Sequence, residues 1–173
     1  MTDQSITSPY SDSILAHLAF QGSRNDCGPC SAATVINSLI GANVDPLVLA
    51  QEMNKPRWHG PLPLVRRIPD SATFPWGMTD IFRSYGLQAS WIIMTPFAYL
   101  INTLQLGALA LPIIGSWNPT WAHIMTLIQY DPQRGLGFAN TQYPQPTVFW
   151  MSEQEFKSKW RFALQCMVEV KNA

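Results

Sequence analysis

The chain has 173 residues, 47% of them hydrophobic and 13% charged, and its formal net charge at pH 7 is zero. This length and composition predict one folded domain, residues 1–173, that buries a core and contains little disorder. An uncharged balance excludes the basic surface of a nucleic-acid or polybasic membrane protein, so we expect no nucleic-acid partner.

The cysteine count and the N-terminus bear on the compartment. Three cysteines give no visible disulfide framework, and the first residues lack the basic and apolar regions of a signal peptide. The most apolar stretch, Trp91 to Trp117, is interrupted by proline, glycine and amide residues, which favours core elements over a membrane span. We therefore expect a cytoplasmic protein without a membrane span.

The N-terminal part of the chain predicts two helices after residues 1–20, which are a polar lead followed by a short apolar segment, Ile14 to Phe20. In both helices apolar residues recur at helical spacing, with proline in the first turn, and glycine follows the end of the first. The two helices are predicted from Pro29 to Gly41 and from Pro46 to Met53, the second capped by Asp45.

The stretch Lys55 to Pro75 contains five prolines and three arginines. It predicts a long surface loop or a short hairpin, and ordered loops of this length often line a substrate cleft.

The rest of the chain predicts a sheet with helices. The elements expected are a helix at Trp76–Tyr85, a strand at Leu87–Met94, a helix at Pro96–Leu106, strands at Ala108–Ser116, Trp121–Tyr130 and Leu136–Ala139, a helix at Ser152–Trp160 and a strand at Phe162–Val170.

The chemistry is expected to centre on Cys27, at the mouth of the first helix. Unpaired backbone N–H groups and the helix dipole favour an anion there, which predicts a lowered thiol pKa and a nucleophilic thiolate. The side-chain amide of Gln21 and the Cys27 N–H are placed to bind the oxygen of a tetrahedral intermediate.

Cys27 and Cys30 also have the spacing of a dithiol redox site. That alternative requires a buried strand directly before the pair and a βαβ unit after it, and residues 22–26 are too polar to form such a strand. Cys30 is expected to pack in the helix interior, and no second pair of ligands points to zinc.

A nucleophilic cysteine needs a base, and the base needs a residue that orients it. His123 begins a predicted strand, and the turn at Asp131–Gly135 would return the chain so that Asn140 lies beside it. His59 is the second choice for the base, and Asp131 is the fallback for the orienting residue.

These motifs resemble the double-glycine, bacteriocin-processing type of papain-like cysteine peptidases. The resemblance rests on Gln21 with the Asp-Cys-Gly-Pro run at 26–29, and it continues through the segments 74–78, 85–87, 122–127, 130–131, 138–141 and 155–160. It implies an α+β papain-like fold in which a helical half carrying the cysteine packs on an antiparallel sheet.

The resemblance also implies roles: Cys27 as nucleophile, His123 as base and acid, Gln21 as oxyanion donor and Asn140 as the orienting residue. The family commonly has aspartate followed by proline in the last position, where this chain has Asn140 and Thr141. No transporter domain or nucleotide-binding motif accompanies the motifs, so we expect a stand-alone form acting on a peptide or protein substrate.

The sequence predicts a cysteine peptidase or amide hydrolase that forms a thioester and needs no cofactor. Two alternatives share the fold: an acyltransferase of the kind seen in phytochelatin-synthase-like relatives, and a binding protein that has lost turnover.

Overall fold

The computed structural model describes residues 4–172; residues 1–3 of the polar lead and Ala173 lie outside the described residues. Its strands are β1 (Ile6–Thr7), β2 (Arg57–His59), β3 (Leu62–Leu64), β4 (Arg67–Ile68), β5 (Ala72–Thr73), β6 (Gln88–Ile92), β7 (Leu109–Trp117), β8 (Thr120–Ile124), β9 (Thr126–Asp131), β10 (Gly135–Ala139), β11 (Phe149–Met151) and β12 (Met167–Lys171).

The helices are α1 (Ser11–Ala16), α2 (Cys27–Ile40), α3 (Pro46–Asn54), α4 (Pro75–Ser84), α5 (Phe97–Gln105) and α6 (Glu153–Trp160), with a short 3-10 turn at Arg161–Ala163. Their ends follow the predicted capping residues. The Asp45 carboxylate accepts from the Leu47 N–H at 2.7 Å, and the Ser152 hydroxyl accepts from the Glu155 N–H at 3.2 Å. Gly41 ends α2 in the left-handed region with φ 64°.

The main sheet is antiparallel, with its strands in the order β11-β10-β9-β7-β12-β6. Strand β1 adds to β9, and β8 adds to β7. Apolar side chains cover both faces of the sheet. On one face Leu111 and Val168 pack with α2, α3 and α4, and on the other Phe138 and Met167 pack with α5 and α6. The predicted α+β arrangement, a helical layer packed on an antiparallel sheet, is confirmed, with α5 and α6 as a third layer.

The predicted strand Trp121–Tyr130 is two strands, β8 and β9, separated at Met125. Both run along β7 in one register, since Ile124 lies opposite Ile113 and Leu127 lies opposite Ala110. Strand β10 pairs with β9 from Asp131 as far as Thr126, which lies opposite Ala139. This pairing does not extend to β8. The outer edge of β8 is therefore left for contacts other than strand pairing.

Four further predictions were incomplete. Helix α2 begins at Cys27 rather than Pro29, and the last strand begins at Met167 because the 3-10 turn takes the residues before it. Strand β11 and the N-terminal elements β1 and α1 were not predicted. The three elements that were not predicted are short, and their stability comes from packing and pairing rather than from a local periodic pattern.

The proline-rich stretch folds into two small two-stranded sheets, β2–β3 and β4–β5. We call residues 55–75 the proline-rich arm. Its arginines anchor it to the helices: Arg57 and Arg66 both pair with the buried Asp80 of α4, and Arg66 also donates to the Lys55 carbonyl. The prediction of a long ordered surface segment is thus correct, and the hairpin alternative describes its two halves.

Candidate active site

Cys27 is the first residue of α2, directly after the N-cap Asp26. Asp26 makes no capping bond with its side chain, because its buried carboxylate pairs with Arg67 and with Arg24, the latter at 2.9 Å. The helix mouth that holds the thiol is therefore built on a buried ion network. We call residues 21–26, directly before Cys27, the cysteine loop. Arg67 comes from the proline-rich arm, so this network also joins the arm to the cysteine loop.

The open edge of β8 contacts α2 through both backbone groups of Ile124. Its N–H acts on the Cys27 thiol and opposes the rise of the thiol pKa, and its carbonyl accepts from the Ser31 hydroxyl at 3.4 Å. Cys27 and Ser31 lie one helical turn apart and so project from the same side of α2. The Cys27 sulfur therefore lies beside Ile124, the residue that follows His123.

The His123 side chain is joined to Asn140 by a 2.8 Å contact between Nε2 and Oδ1. The Gln142 backbone N–H also donates to Asn140 Oδ1, at 3.0 Å. An N–H donor needs an oxygen acceptor, so the second bond identifies the atom as the amide oxygen. His123 Nε2 must then carry the ring proton, which leaves the lone pair of the neutral imidazole on Nδ1.

Gln21 is buried and its side-chain amide is fixed at both ends. Nε2 donates to the Arg24 carbonyl at 2.9 Å, and Oε1 accepts from the Thr141 hydroxyl at 2.8 Å. The Gln21 backbone N–H also donates to the Thr141 carbonyl at 2.9 Å. Gln21 is thus tied to the residue after Asn140, and its Nε2 retains a second hydrogen for another acceptor.

Burial dominates the protonation of both candidate groups. Desolvation raises the pKa of the Cys27 thiol above its ordinary value, although N–H groups of Ile124, Gly28 and Cys27 and the Arg67 charge oppose the rise. Desolvation also lowers the pKa of His123, while its bond to Asn140 acts in the opposite direction. The prediction of a lowered thiol pKa at the helix mouth was therefore wrong: the helix-end N–H groups act as expected, but the cost of burying a thiolate outweighs them.

The proline-rich arm packs directly on the cysteine loop. The Asn25 side chain donates to the Asp70 carbonyl at 2.8 Å, and a Cβ added to Gly28 would lie 2.4 Å from the Thr73 side chain. Glycine is therefore required at position 28 for the arm to approach this closely. The arm forms one wall beside Cys27.

The remaining candidates lie elsewhere. His59 is in β2 of the arm, outside the main sheet. Asp131 accepts from the Ser5 hydroxyl and from the N–H groups of Gln133 and Arg134, so it caps the turn after β9 rather than orienting His123. Cys30 is fully buried, and burial raises its pKa to about 12. Residues 18–26 form no strand, so the surroundings of Cys27 and Cys30 differ from those of a dithiol redox site.

Three groups that contact the candidate site residues were not predicted from the sequence: Thr141, Ser31 and the Ile124 backbone. Only the register of β8 against β7 and the end of β10 bring them to the site. A polar threonine directly after Asn140 was the one available signal, and it pointed only to a loop.

Residues 4–172 contain neither a metal-binding cluster nor a membrane-spanning helix. No cluster of three or more His, Cys, Asp or Glu side chains among residues 4–172 is placed to hold a metal ion. Over the same range, every helix is too short or too polar to cross a membrane.

Comparison with known proteins gives a match at the level of structure. No family model and no curated protein sequence matches the chain. A solved structure from Bacillus anthracis, provisionally described as a C39-like peptidase, matches with a TM-score of 0.75 and 14% sequence identity, covering 99% of each chain. The chain therefore has a papain-like fold of the kind found in that C39-like peptidase.

Proposed function

We propose that the protein is a cysteine peptidase or amide hydrolase with Cys27, His123, Asn140 and Gln21 as its catalytic residues. One observation carries the proposal. A continuous series of contacts runs from the Cys27 thiol to the Ile124 backbone, from the adjacent His123 to Asn140, and from Thr141 to Gln21. These contacts support a site in which Cys27 is the nucleophile, His123 the base, Asn140 the orienting amide and Gln21 the oxyanion donor.

In this mechanism His123 is the general base. Its Nδ1 accepts the thiol proton as the Cys27 sulfur attacks the carbonyl carbon of the substrate. The tetrahedral oxyanion receives hydrogen bonds from the second Nε2–H of Gln21 and from the Cys27 backbone N–H. His123 then protonates the leaving amine, and a thioester remains on Cys27.

Hydrolysis of the thioester repeats these steps with water. His123 takes a proton from water, the hydroxide oxygen attacks the thioester carbonyl, and the Cys27 sulfur leaves and is protonated. The acid is released, and the thiol proton that left with the amine is replaced by a proton from water.

Burial makes the resting pair a neutral thiol and a neutral imidazole. The thiol has a raised pKa and the imidazole a lowered pKa, so neither charge is favoured before substrate binds. Proton transfer to His123 therefore accompanies attack, in contrast to a preformed thiolate–imidazolium pair. Asn140 keeps Nδ1 unprotonated and ready for this transfer.

A peptide is the proposed substrate class, supported by the provisional description of the structural neighbour. The bacteriocin-processing resemblance of the motifs supports the same class. An acyltransferase would use the same thioester but release it to an amine or thiol, and a binding protein would form no thioester at all.

Site-directed alkylation tests the nucleophile. We expect iodoacetamide to label Cys27, which is partly exposed and has His123 as its proposed base, and to leave Cys30 and Cys166 unmodified because both are buried. His123→Ala should slow labelling of Cys27, because the thiol loses its base. Equal rates in the two proteins, measured by peptide mapping, would count against His123.

Turnover is tested with a quenched fluorogenic peptide library, comparing the wild type with Cys27→Ala. The hydrolase predicts fragments with free carboxylates that disappear in the variant, and mass spectrometry of the fragments identifies the scissile bond. Release of the acyl group only when an amine or thiol acceptor is added, with no free acid formed in water alone, would indicate an acyltransferase. Labelling of Cys27 without any cleavage would indicate a binding protein.

A further inference from the structure

We propose that Thr141 is a positioning residue whose hydroxyl holds the Gln21 amide in the orientation that leaves one Nε2–H for the oxyanion. This inference rests on the proposed hydrolase mechanism. It concerns a residue outside the four proposed catalytic groups.

The contact between Thr141 and Gln21 is deeply buried and joins residues 120 positions apart, with 2.8 Å between Oγ1 and Oε1. The amide oxygen can only accept, so the threonine hydroxyl donates. A second bond, from the Gln21 N–H to the Thr141 carbonyl at 2.9 Å, fixes the backbone of the two residues against each other. Thr141 therefore holds both the main chain and the side chain of Gln21.

This arrangement selects one of the two orientations of the amide. With Oε1 on the threonine hydroxyl, Nε2 donates one hydrogen to the Arg24 carbonyl and keeps the other. A flipped amide would set its oxygen against the Arg24 carbonyl oxygen and would remove the N–H from the proposed oxyanion position. An oxyanion donor is effective only when it is held in place before the charge develops.

The role depends on the hydroxyl. Proline, which commonly follows the third residue in the family that the motifs resemble, has no side-chain donor. The residue directly before Thr141 is Asn140, so one short segment orients both His123 and Gln21. Loss of the hydroxyl would leave Gln21 Oε1 buried without that donor.

Two reactions of Cys27 separate this role from a general structural one. Acylation by a nitrophenyl ester passes through an oxyanion: the sulfur–carbonyl bond forms, and nitrophenolate leaves. Alkylation by iodoacetamide forms a sulfur–carbon bond and releases iodide without an oxyanion. Both reactions need the thiol and His123, but only acylation needs Gln21.

We expect Thr141→Val to slow acylation about tenfold, a smaller loss than removal of an oxyanion donor itself, with the alkylation rate unchanged. Thr141→Ser should keep wild-type acylation, because it retains the hydroxyl. Thr103→Val is the matched control, since it removes another buried threonine hydroxyl, one that donates to the Tyr99 carbonyl of α5. It should change neither rate.

The inference is overturned if Thr141→Val leaves acylation unchanged or slows both reactions equally, or if it slows acylation further in a Gln21→Ala background. Thr141→Ala provides the same readings if the valine variant does not fold. A wild-type protein that is alkylated but never acylated would overturn the proposed function itself, and that result is distinguishable because it precedes any comparison with Thr141 variants.

Discussion

At the scale of single residues, the contact between His123 and Asn140 determines which ring nitrogen carries the proton. Because Asn140 Oδ1 accepts from both His123 and the Gln142 N–H, the amide cannot flip without losing both bonds. His123 is buried, and burial lowers its pKa. The uncharged Asn140 does little to offset that effect, so His123 is neutral over a wide range of pH.

Asn140→Asp tests this relation, since aspartate is common at this position in the family that the motifs resemble. A buried carboxylate beside the imidazole stabilises the imidazolium and raises the pKa of His123. The base must be neutral to accept the thiol proton, so activity falls as the pH drops through this pKa. In the wild type that acid limb should lie below 6.5, the ordinary value for histidine, because the pKa of His123 is lowered.

We therefore expect the acid limb of kcat/KM for the nitrophenyl ester to move to higher pH in Asn140→Asp. Asn25→Asp is a suitable control, because Asn25 bonds to the Asp70 carbonyl of the arm rather than to His123. An acid limb that does not move, or that moves to lower pH, would contradict the role given to Asn140.

The sequence indicated which residues are candidates for the site, but it did not indicate the direction of the Cys27 pKa shift. Cys27, His123, Asn140 and Gln21 were selected by residue type, spacing and family resemblance, all of which are properties of the chain. The direction of the Cys27 pKa was predicted wrongly because desolvation depends on what covers the thiol. That covering comes from distant parts of the fold, and no local pattern describes it.

At the scale of elements, the proline-rich arm is held by buried charges. Arg66 is buried and donates to Asp80 at 3.0 Å, while Arg57 pairs with the other oxygen of the same carboxylate. Buried ion pairs contribute modestly when intact but are costly to break, because the remaining charge has no partner. The arm carries Arg67 and Thr73 to the cysteine loop, so its anchoring also affects the site.

Asp80→Asn should therefore lower the free energy of unfolding by roughly 3 kcal/mol, since the buried Arg66 charge keeps only a longer pair with the partly exposed Glu52, at 3.7 Å. The control is Glu155→Gln, which breaks the partly exposed pair with Lys159 and should cost less than about 0.5 kcal/mol. Urea unfolding of both variants gives the comparison. Equal losses in the two variants would show that the Asp80 network does not anchor the arm.

Elements with a strong pattern or clear caps were predicted well, and the missed elements β1, α1 and β11 have neither. Helices α2, α3, α4 and α5 and strand β7 carry strong patterns or clear caps, and their positions agree with the structure to within about two residues. The separation of β8 from β9 was missed, yet it creates the open edge where Ile124 meets Cys27 and Ser31. An edge of this kind is a property of strand pairing and is invisible in one strand alone.

At the scale of the whole molecule, the proposed site lies where two layers meet. The helical layer supplies Cys27, the sheet supplies His123 and Asn140, and the loop before α2 supplies Gln21. Each group comes from a different element, since His123 lies in β8 and Asn140 directly follows β10. The assembly therefore depends on the docking of α2 on the edge of β8. That docking is stabilised by a shared apolar core, which contains Val35 and Ile36 of α2, Leu111 of β7 and Ile124 of β8.

The fold class was predictable from the sequence because the motifs occur in the order that the papain-like fold requires. The structural match at 14% identity shows that a very different sequence adopts the same fold. Side-chain orientations at the site were not predictable, since they depend on bonds such as those from Gln142 and Thr141 to residues on other elements.

The most direct measurement is a cross-linking reaction that asks whether the Cys27 sulfur faces the His123 ring. Dibromoacetone alkylates a reactive thiol first and then joins it to a nucleophile within the reach of its short carbon chain. We predict a linked peptide pair containing Cys27 and His123, absent from His123→Ala and from Cys27→Ala. Single alkylation of Cys27 with no link to His123, or a link to another residue, would contradict the proposed catalytic site.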